Sequence, residues 1–84
     1  MVRALKFLVW ILKKNGFDAF VPKEELREAH MDIHVAARSK DEARAIAKKL
    51  VSLYGLKIKK RHDNGTHILF MPHLIAVLVN PDRD

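Results

Sequence analysis

The stretch that most limits how this chain can fold is residues 39–70, which read SKDEARAIAKKLVSLYGLKIKKRHDNGTHILF. Ser39, with Glu42 three positions later, has the pattern of a capping box at a helix N-terminus, and Gly55 is typical of a residue that ends a helix. The residues after Gly55 alternate in polarity around the turn sequence DNG at positions 63–65. We therefore predict one helix followed by a two-stranded antiparallel hairpin.

The length of the hairpin loop decides which side chains share a face. A two-residue loop would put Ile68 and Phe70 on the face that carries the basic residues of the preceding strand. A three-residue loop, a type I turn with Gly65 left-handed, pairs Ile58 with Phe70 and Lys60 with Ile68. We choose the second register because it keeps the apolar residues together. It places four residues on the outer face of the hairpin: Lys57, Lys59, Arg61 and His67.

A first helix is predicted over residues 2–15, with Gly16 just past its end. The apolar run in this segment is too short for a signal peptide or a membrane span, so we expect a folded helix. The side chains expected to face the core are Leu5, Leu8, Val9 and Leu12, with Phe7 and Ile11 beside them.

Two short strands are predicted next, over residues 17–21 and 31–37, because apolar and polar residues alternate there. The connector between them, residues 23–30, is compatible with either a helix or a loop. The inward positions are expected to be Phe17, Ala19 and Val21 in the first strand and Ile33, Val35 and Ala37 in the second.

The second helix is expected to end at Tyr54, and the last strand to follow at residues 74–79. That strand, LIAVLV, is apolar on both faces, so it is either central in a sheet or an edge that forms a dimer. In the helix, the side chains expected to face inward are Ala43, Ile46, Ala47, Leu50, Leu53 and Tyr54. Those expected to face outward are Arg44, Lys48 and Lys49.

Aligning Gly16 with Gly55 reveals an internal αββ repeat, with units of approximately residues 2–38 and 39–80. In this alignment the inward positions coincide, Ile33 with Ile68 and Val35 with Phe70. We predict a single α+β domain over residues 1–84, with the order αββαββ and one further strand. Its two helices are expected to pack on one face of an antiparallel sheet of four or five strands, a permuted ferredoxin-like arrangement.

Composition narrows the chemistry further. The chain has no cysteine, which excludes disulfides and cysteine-based zinc sites, and it has no phosphate-cradling glycine loop. His30 and His34 would form a metal pair only on a helix, whereas the alternation there indicates a strand. We expect no metal and no cofactor. The absence of glutamine and the 31% of charged residues fit a thermophilic cytoplasmic protein. No membrane partner is expected, because the apolar run of the first helix is too short to span a bilayer.

Positive charge is concentrated in residues 38–62, where nine Lys and Arg residues face two acidic ones, a net +7 against +6 for the whole chain. Such a basic helix and hairpin favour binding to a polyanion, above all DNA or RNA. The candidate nucleic-acid-binding residues are Arg44, Lys48, Lys49, Lys57, Lys59, Arg61 and His67. A secondary group surrounds Trp10, which either stacks a base or makes a core or oligomer contact. Its basic members are Arg3, Lys6 and Lys13.

The order αββαββ and the segment 33–70 resemble the unit of LAGLIDADG homing endonucleases. The helix LVWILKKNG at residues 8–16 occupies the place of the signature helix of that family. The resemblance implies sheet-face DNA binding. It does not extend to cleavage, because Asn15 stands where the family has a metal-binding acid. Trp10 and Lys13 replace the small residues that let two such helices pack closely.

Residues 39–81 also resemble the HicA messenger-RNA interferases. The resemblance rests on a helix, GLKIKKR, then Gly65-Thr66-His67 and a third strand ending in Asn80-Pro81. That family has G-S-H at this position, and its histidine is the catalytic candidate, which implies a catalytic role for His67. Thr66 in place of serine, the lack of a C-terminal helix and the additional residues 1–38 are departures from the pattern.

The leading expectation is a small, non-catalytic protein that binds the phosphate backbone of nucleic acid through the basic helix and hairpin. One alternative is a HicA-like ribonuclease, in which His67 takes the 2′-hydroxyl proton while cations hold the phosphate. Another is a homo-oligomerisation or adaptor module, with a homodimer formed through residues 74–79 or through the first helix.

Overall fold

The computed structural model describes residues 2–21, 32–70 and 76–81, with side chains from Lys6 onward. The predicted connector at residues 23–30 lies outside these ranges, as do the side chains of Arg3 and Leu5, the residues His30 and His73, and the start of the predicted last strand. The elements are helix α1 (Val2–Lys14), strands β1 (Asp18–Phe20) and β2 (Asp32–Ala37), helix α2 (Lys40–Tyr54), and strands β3 (Lys57–Arg61), β4 (His67–Phe70) and β5 (Ala76–Pro81).

Helix α1 ends in a left-handed turn at Gly16, as predicted. The backbone at Gly16 has φ +92°, and its N–H donates to the carbonyl of Lys13 at 3.0 Å. The N–H of Phe17 donates to the carbonyl of Leu12 at 3.0 Å, which completes a Schellman motif. Because Leu12 and Phe17 are both buried, the helix end is also anchored in the core.

Helix α2 carries the predicted caps at both ends. The Ser39 hydroxyl accepts a hydrogen bond from the N–H of Glu42 at 3.1 Å, and Gly55, at φ +69°, donates its N–H to the carbonyl of Val51 at 3.0 Å. The Glu42 carboxylate accepts from the backbone N–H of Arg38 at 2.9 Å and from its Nε at 3.0 Å. The Glu42 side chain therefore also binds the backbone N–H of Arg38, the residue before the N-cap Ser39.

The five strands form one sheet in the order β1-β2-β5-β4-β3. The α+β class and the αββαββ order with a further strand are confirmed. The sheet is mixed and not wholly antiparallel, since β2 pairs with β5 in parallel while the other three pairs are antiparallel. Parallel neighbours need a long crossover, and α2 with the β3–β4 hairpin supplies it. Strand β5 is thus central, and its described residues present no open edge for a dimer.

One core cluster contains buried side chains of both helices and of alternate strand positions, so both helices lie on the same face of the sheet, as predicted. Two expectations about the helices are wrong. Leu53 is 56% exposed because the buried side of α2 follows Ala43, Ala47 and Leu50, and Phe7 is 59% exposed. The cluster consists of Leu12, Phe17, Ala19, Ile33, Val35, Ala37, Ala43, Ala47, Leu50, Leu56, Leu69, Val77 and Val79.

The β3–β4 loop has the predicted three residues. The N–H of Gly65 donates to the carbonyl of His62 at 3.0 Å, the N–H of His62 donates to the carbonyl of Thr66 at 2.8 Å, and Gly65 has φ +96°. Lys60 pairs with Ile68, also as predicted, but the register then shifts by one residue between Ile58 and Lys60. This bulge leaves two residues of β3 opposite one of β4.

The predicted facing of β4 is wrong. His67 and Leu69 are buried on the helix side, whereas Ile68 and Phe70 are half-buried on the opposite face. Because β5 is apolar on both faces, it offers Ile68 and Phe70 apolar neighbours without requiring them to enter the core. The bulge returns Ile58 to the core side, where it pairs with Leu69 and not with Phe70. The repeat alignment that matched Ile33 with Ile68 and Val35 with Phe70 is consequently offset by one residue.

Candidate nucleic-acid interface

Four residues that can carry positive charge meet between α2 and the hairpin. Arg44, Lys48, Arg61 and His67, together with Ile58, line a pocket of about 330 Å³, which we call the basic cleft. All four polar residues are among those predicted from the sequence. Such a concentration of cations favours an anionic ligand.

Each pair of cleft residues is positioned by one element. Arg44 and Lys48 are four residues apart on α2, so both project from the same side of the helix. Arg61 and His67 are directly opposite each other in the β3–β4 pairing and therefore share a face of the hairpin. That face is turned toward α2, since His67 and its neighbour Leu69 are buried on the helix side.

His67 is the one buried polar residue found among the described residues, and it is 5% exposed. Its Nδ1 lies 2.9 Å from the carbonyl oxygen of Gly65, and since a carbonyl only accepts, Nδ1 is the protonated nitrogen. In the neutral form of the imidazole, the lone pair is therefore on Nε2. The sequence indicated His67 as a candidate but placed it on the outer face, where it would have been exposed.

The predicted outer face of Lys57, Lys59, Arg61 and His67 does not exist as one surface. Arg61 and His67 face the cleft, whereas Lys57 pairs with Phe70 on the opposite face. The Nζ of Lys59 lies 4.7 Å from the centre of the Phe70 ring, also on that opposite face. The bulge between Ile58 and Lys60 separates the two groups, because it breaks the alternation on which the prediction relied.

Lys49 is separate from the basic cleft, although it is next to Lys48 in sequence. It lines a second pocket of about 320 Å³, near the end of α1, together with Arg38 and two acidic residues, Asp18 and Glu42. Hydrogen bonds from the Arg38 side chain and backbone hold the pKa of Glu42 below its usual value. The two basic side chains of this second pocket are therefore balanced by two acidic ones.

The secondary candidates lie on α1, away from the cleft. Trp10 is exposed, stacks on Phe7 with ring centres 6.1 Å apart, and has the Nζ of Lys14 4.9 Å from the centre of its ring. Lys6 and Lys13 are exposed on the same helix. The cation that lies over the Trp10 ring is Lys14, which was not among the basic residues predicted to surround Trp10.

Sequence reasoning missed the apolar wall of the cleft and the aromatic residues of the opposite sheet face. Ile58 was expected only as core, and Phe20 and Phe70 were not considered as binding residues. The signal for Phe20 was present in the sequence, because the alternation that puts Ala19 inward puts Phe20 outward.

Within the described ranges, no helix is long and apolar enough to cross a membrane. The same residues contain no group of three or more His, Cys, Asp or Glu side chains arranged to hold a metal ion. His34 lies on a strand, as predicted, and its Nδ1 is 3.0 Å from Nδ2 of Asn80.

Comparisons with protein-family models, with curated proteins and with solved structures found no match to this chain.

Proposed function

We propose that this protein binds nucleic acid without cleaving it, holding a backbone phosphate in the basic cleft. The observation that carries the proposal is the convergence of Arg44, Lys48, Arg61 and His67, from a helix and a hairpin, on one pocket. Clustered Lys and Arg neutralise phosphates and release their counterions, which supplies most sequence-independent affinity for nucleic acid. The formal net charge of +6 on 84 residues acts in the same direction at longer range.

The types of residue in the cleft suit a phosphodiester. The guanidinium groups of Arg44 and Arg61 can each donate two parallel hydrogen bonds to phosphate oxygens, and Lys48 adds a mobile ammonium. Ile58 gives the pocket an apolar wall that accommodates the sugar or excludes water. Contacts of this kind position a strand and carry no sequence information by themselves, so the expected binding is sequence-independent.

A salt titration tests the proposal. The affinity of the purified chain for labelled single-stranded RNA, duplex RNA and duplex DNA would be measured by fluorescence anisotropy between 50 and 200 mM salt. We expect log K to fall linearly with log salt concentration. The slope for Arg44→Gln or Arg61→Gln should be smaller by about one than that of the unchanged chain, as expected for one lost phosphate contact.

Lys49→Gln is the matched control, because it removes one charge from the neighbouring position of α2 but outside the cleft. It should change the slope much less than either arginine variant. If the control weakens binding as strongly as the arginine variants, the charge acts diffusely and the cleft is not the site. If the unchanged chain binds none of the three nucleic acids at 50 mM salt, the proposed function is wrong.

A ribonuclease is the second candidate, and the hydrogen bond of His67 favours it. With Nδ1 committed to the Gly65 carbonyl, the neutral ring has Nε2 free of a proton, which is the state that a general base requires. Arg44, Lys48 and Arg61 in the same pocket would hold the phosphate while the 2′-hydroxyl attacks it. The HicA resemblance leads to the same residue.

Gel analysis of RNA recovered from the titration separates the two candidates. Cleavage that disappears in His67→Asn while RNA binding persists would establish the ribonuclease. Circular dichroism of the variant is required as a control, because His67 is buried and its replacement can also disturb the hairpin. Intact RNA after prolonged incubation would leave the non-catalytic binding protein as the function.

A further inference from the structure

The sheet face opposite the helices, which we call the open face, carries a row of side chains across all five strands. Residues paired side by side in neighbouring strands point to the same face. One such row runs Phe20, His34, Leu78, Ile68, Lys60. The row beside it contains Asp32, Ala76, Phe70 and Lys57. The open face is therefore apolar in its middle and basic at the β3 edge.

Two aromatic rings lie on this face. Phe20 is 44% exposed and stacks with His34, with ring centres 5.7 Å apart at 29°. Phe70 is half-buried, and Lys59 places its ammonium over the ring. Three strand spacings separate β1 from β4, so Phe20 and Phe70 lie about 14 Å apart across the strands and about 7 Å apart along them. Aromatic side chains presented in this way on a sheet are suited to stacking with unpaired bases.

The charges on the open face are unequally distributed. Lys57, Lys59 and Lys60 lie together on the edge strand β3, and all three are exposed. The carboxylates of Asp18 and Asp32 belong to β1 and β2, at the other side of the sheet. A phosphate backbone would therefore run along the β3 edge, and its bases would extend across the apolar middle of the sheet.

We propose that the open face binds unpaired bases of a single-stranded nucleic acid on Phe20 and Phe70, with the backbone phosphates held by Lys57, Lys59 and Lys60. This inference rests on the proposed function and narrows its ligand from nucleic acid in general to single strands. A second copy of the chain is the less favoured occupant. It would remove three ammonium groups from water, and the described residues of its own open face would offer them only two carboxylates, Asp18 and Asp32. A nucleic-acid strand brings a phosphate for each cation.

The open face and the basic cleft adjoin at β3. Lys60 and Arg61 are consecutive, yet Lys60 pairs with Ile68 on the open face and Arg61 pairs with His67 on the cleft face. Because β3 is an edge strand, a flexible single strand can cross it and contact both sites. A duplex is too stiff to bend around one β-strand, so it would contact the basic cleft but not the open face.

The test compares single-stranded RNA with the duplex of the same sequence, using Phe20→Leu, Phe70→Leu and the double variant of the full chain. Each single change should weaken single-strand binding about tenfold, as expected for the loss of one stacked base. The salt slope should stay unchanged, because stacking releases no counterions. Duplex affinity should not change. Phe7→Leu, which alters an exposed aromatic residue on α1, should leave both affinities unchanged.

Three results would overturn the inference. The first is single-strand affinity that changes less than twofold in the double variant. The second is an equal loss of duplex binding in variants whose urea denaturation matches that of the unchanged chain, which would show that the two rings do not select unpaired bases. The third is a dimer in size-exclusion chromatography that Phe20→Leu dissociates, which would identify a second copy as the occupant. If the double variant changes affinity less than twofold but binding still weakens steeply with salt, the open-face inference is wrong, whereas the proposed function through the basic cleft is supported.

Discussion

Nδ1 of His67 lies 2.9 Å from the carbonyl oxygen of Gly65, a hydrogen bond that ties the basic cleft to the hairpin turn. The turn is itself enclosed, since a Cβ at Gly65 would lie 2.7 Å from Cγ of Lys40 and 2.8 Å from Cγ of Pro81. The imidazole therefore takes its orientation from a turn that is wedged between the start of α2 and the end of β5. Damage to this turn is expected to displace His67.

Gly65→Ala should destabilise the fold by about 2–4 kcal/mol, because a left-handed alanine is strained and its methyl group has no room beside the rigid Pro81 ring. Gly55→Ala is the matched control. It has the same sign of φ but nothing within 4 Å of the added Cβ, so a cost of about 1–2 kcal/mol is expected. Urea denaturation measures both. Equal losses would show that the turn is not tightly packed.

Leu69→Ala should cost about 2–5 kcal/mol of unfolding free energy, because Leu69 is fully buried in the core. Ile68→Ala, the neighbouring position on the open face, should cost clearly less, since Ile68 is only half-buried. Thermal or chemical denaturation of the two variants compares them directly. A larger loss for Ile68→Ala would indicate that Ile68, and not Leu69, faces the core, as the sequence pattern predicted.

The Arg38–Glu42 pair predicts a pH-dependent contribution to stability. Because the pKa of Glu42 is lowered in the folded chain, the pair contributes fully above the ordinary glutamate pKa of about 4.3. Its contribution decreases as the pH falls below that value and is lost below the folded-state pKa. Arg38→Ala should therefore lower the melting temperature at pH 7 but not in strong acid.

Arg44→Ala is the control for this pH dependence. It removes a cation from α2, the helix that carries Glu42, but leaves Arg38, the partner of Glu42, in place. The melting temperature of Arg44→Ala should differ from that of the unchanged chain by a similar amount at pH 7 and in strong acid. If the effect of Arg38→Ala is the same at pH 7 and in strong acid, the pair does not act through the ionisation of Glu42.

Lys60→Gln and Arg61→Gln should have separable effects, although they alter neighbouring positions of one strand. Because Lys60 lies on the open face, its change should weaken binding of single-stranded RNA and leave duplex binding unaltered. Arg61 lines the cleft, so its change should weaken both. Anisotropy titrations of both variants with matched oligonucleotides measure the difference. Identical profiles for the two variants would refute two distinct sites.

Local chemistry explains which parts of the fold could be read from the sequence. The caps at Ser39, Gly16 and Gly55 and the three-residue loop ending at Gly65 are decided by residues within one or two turns of each other. All of them are present as predicted. The parallel pairing of β2 with β5 joins distant parts of the chain, and no pattern within either strand specifies it.

The facing of β4 shows the limit of alternation as a signal. In the run HILF, either His67 and Leu69 or Ile68 and Phe70 can face the core, and the more apolar pair was the natural choice. The decision depended on β5, which accepts apolar neighbours on both of its faces. The cleft was accordingly predicted only in its components, since the facing of β4 is what turns Arg61 and His67 toward Arg44 and Lys48.

We expect the position of β5 in the sheet to influence how this protein folds. Among the described strands, those of the unit α1-β1-β2 do not pair with those of the unit α2-β3-β4. Strand β5 joins the two units by pairing with both β2 and β4. Until β5 inserts, each unit has an open strand edge that another chain could pair with. Joining β2 to β5 must close a loop that contains all of the second unit, which slows folding. Changes that weaken β5 are therefore expected to promote aggregation during folding more than changes of equal cost in the edge strand β1.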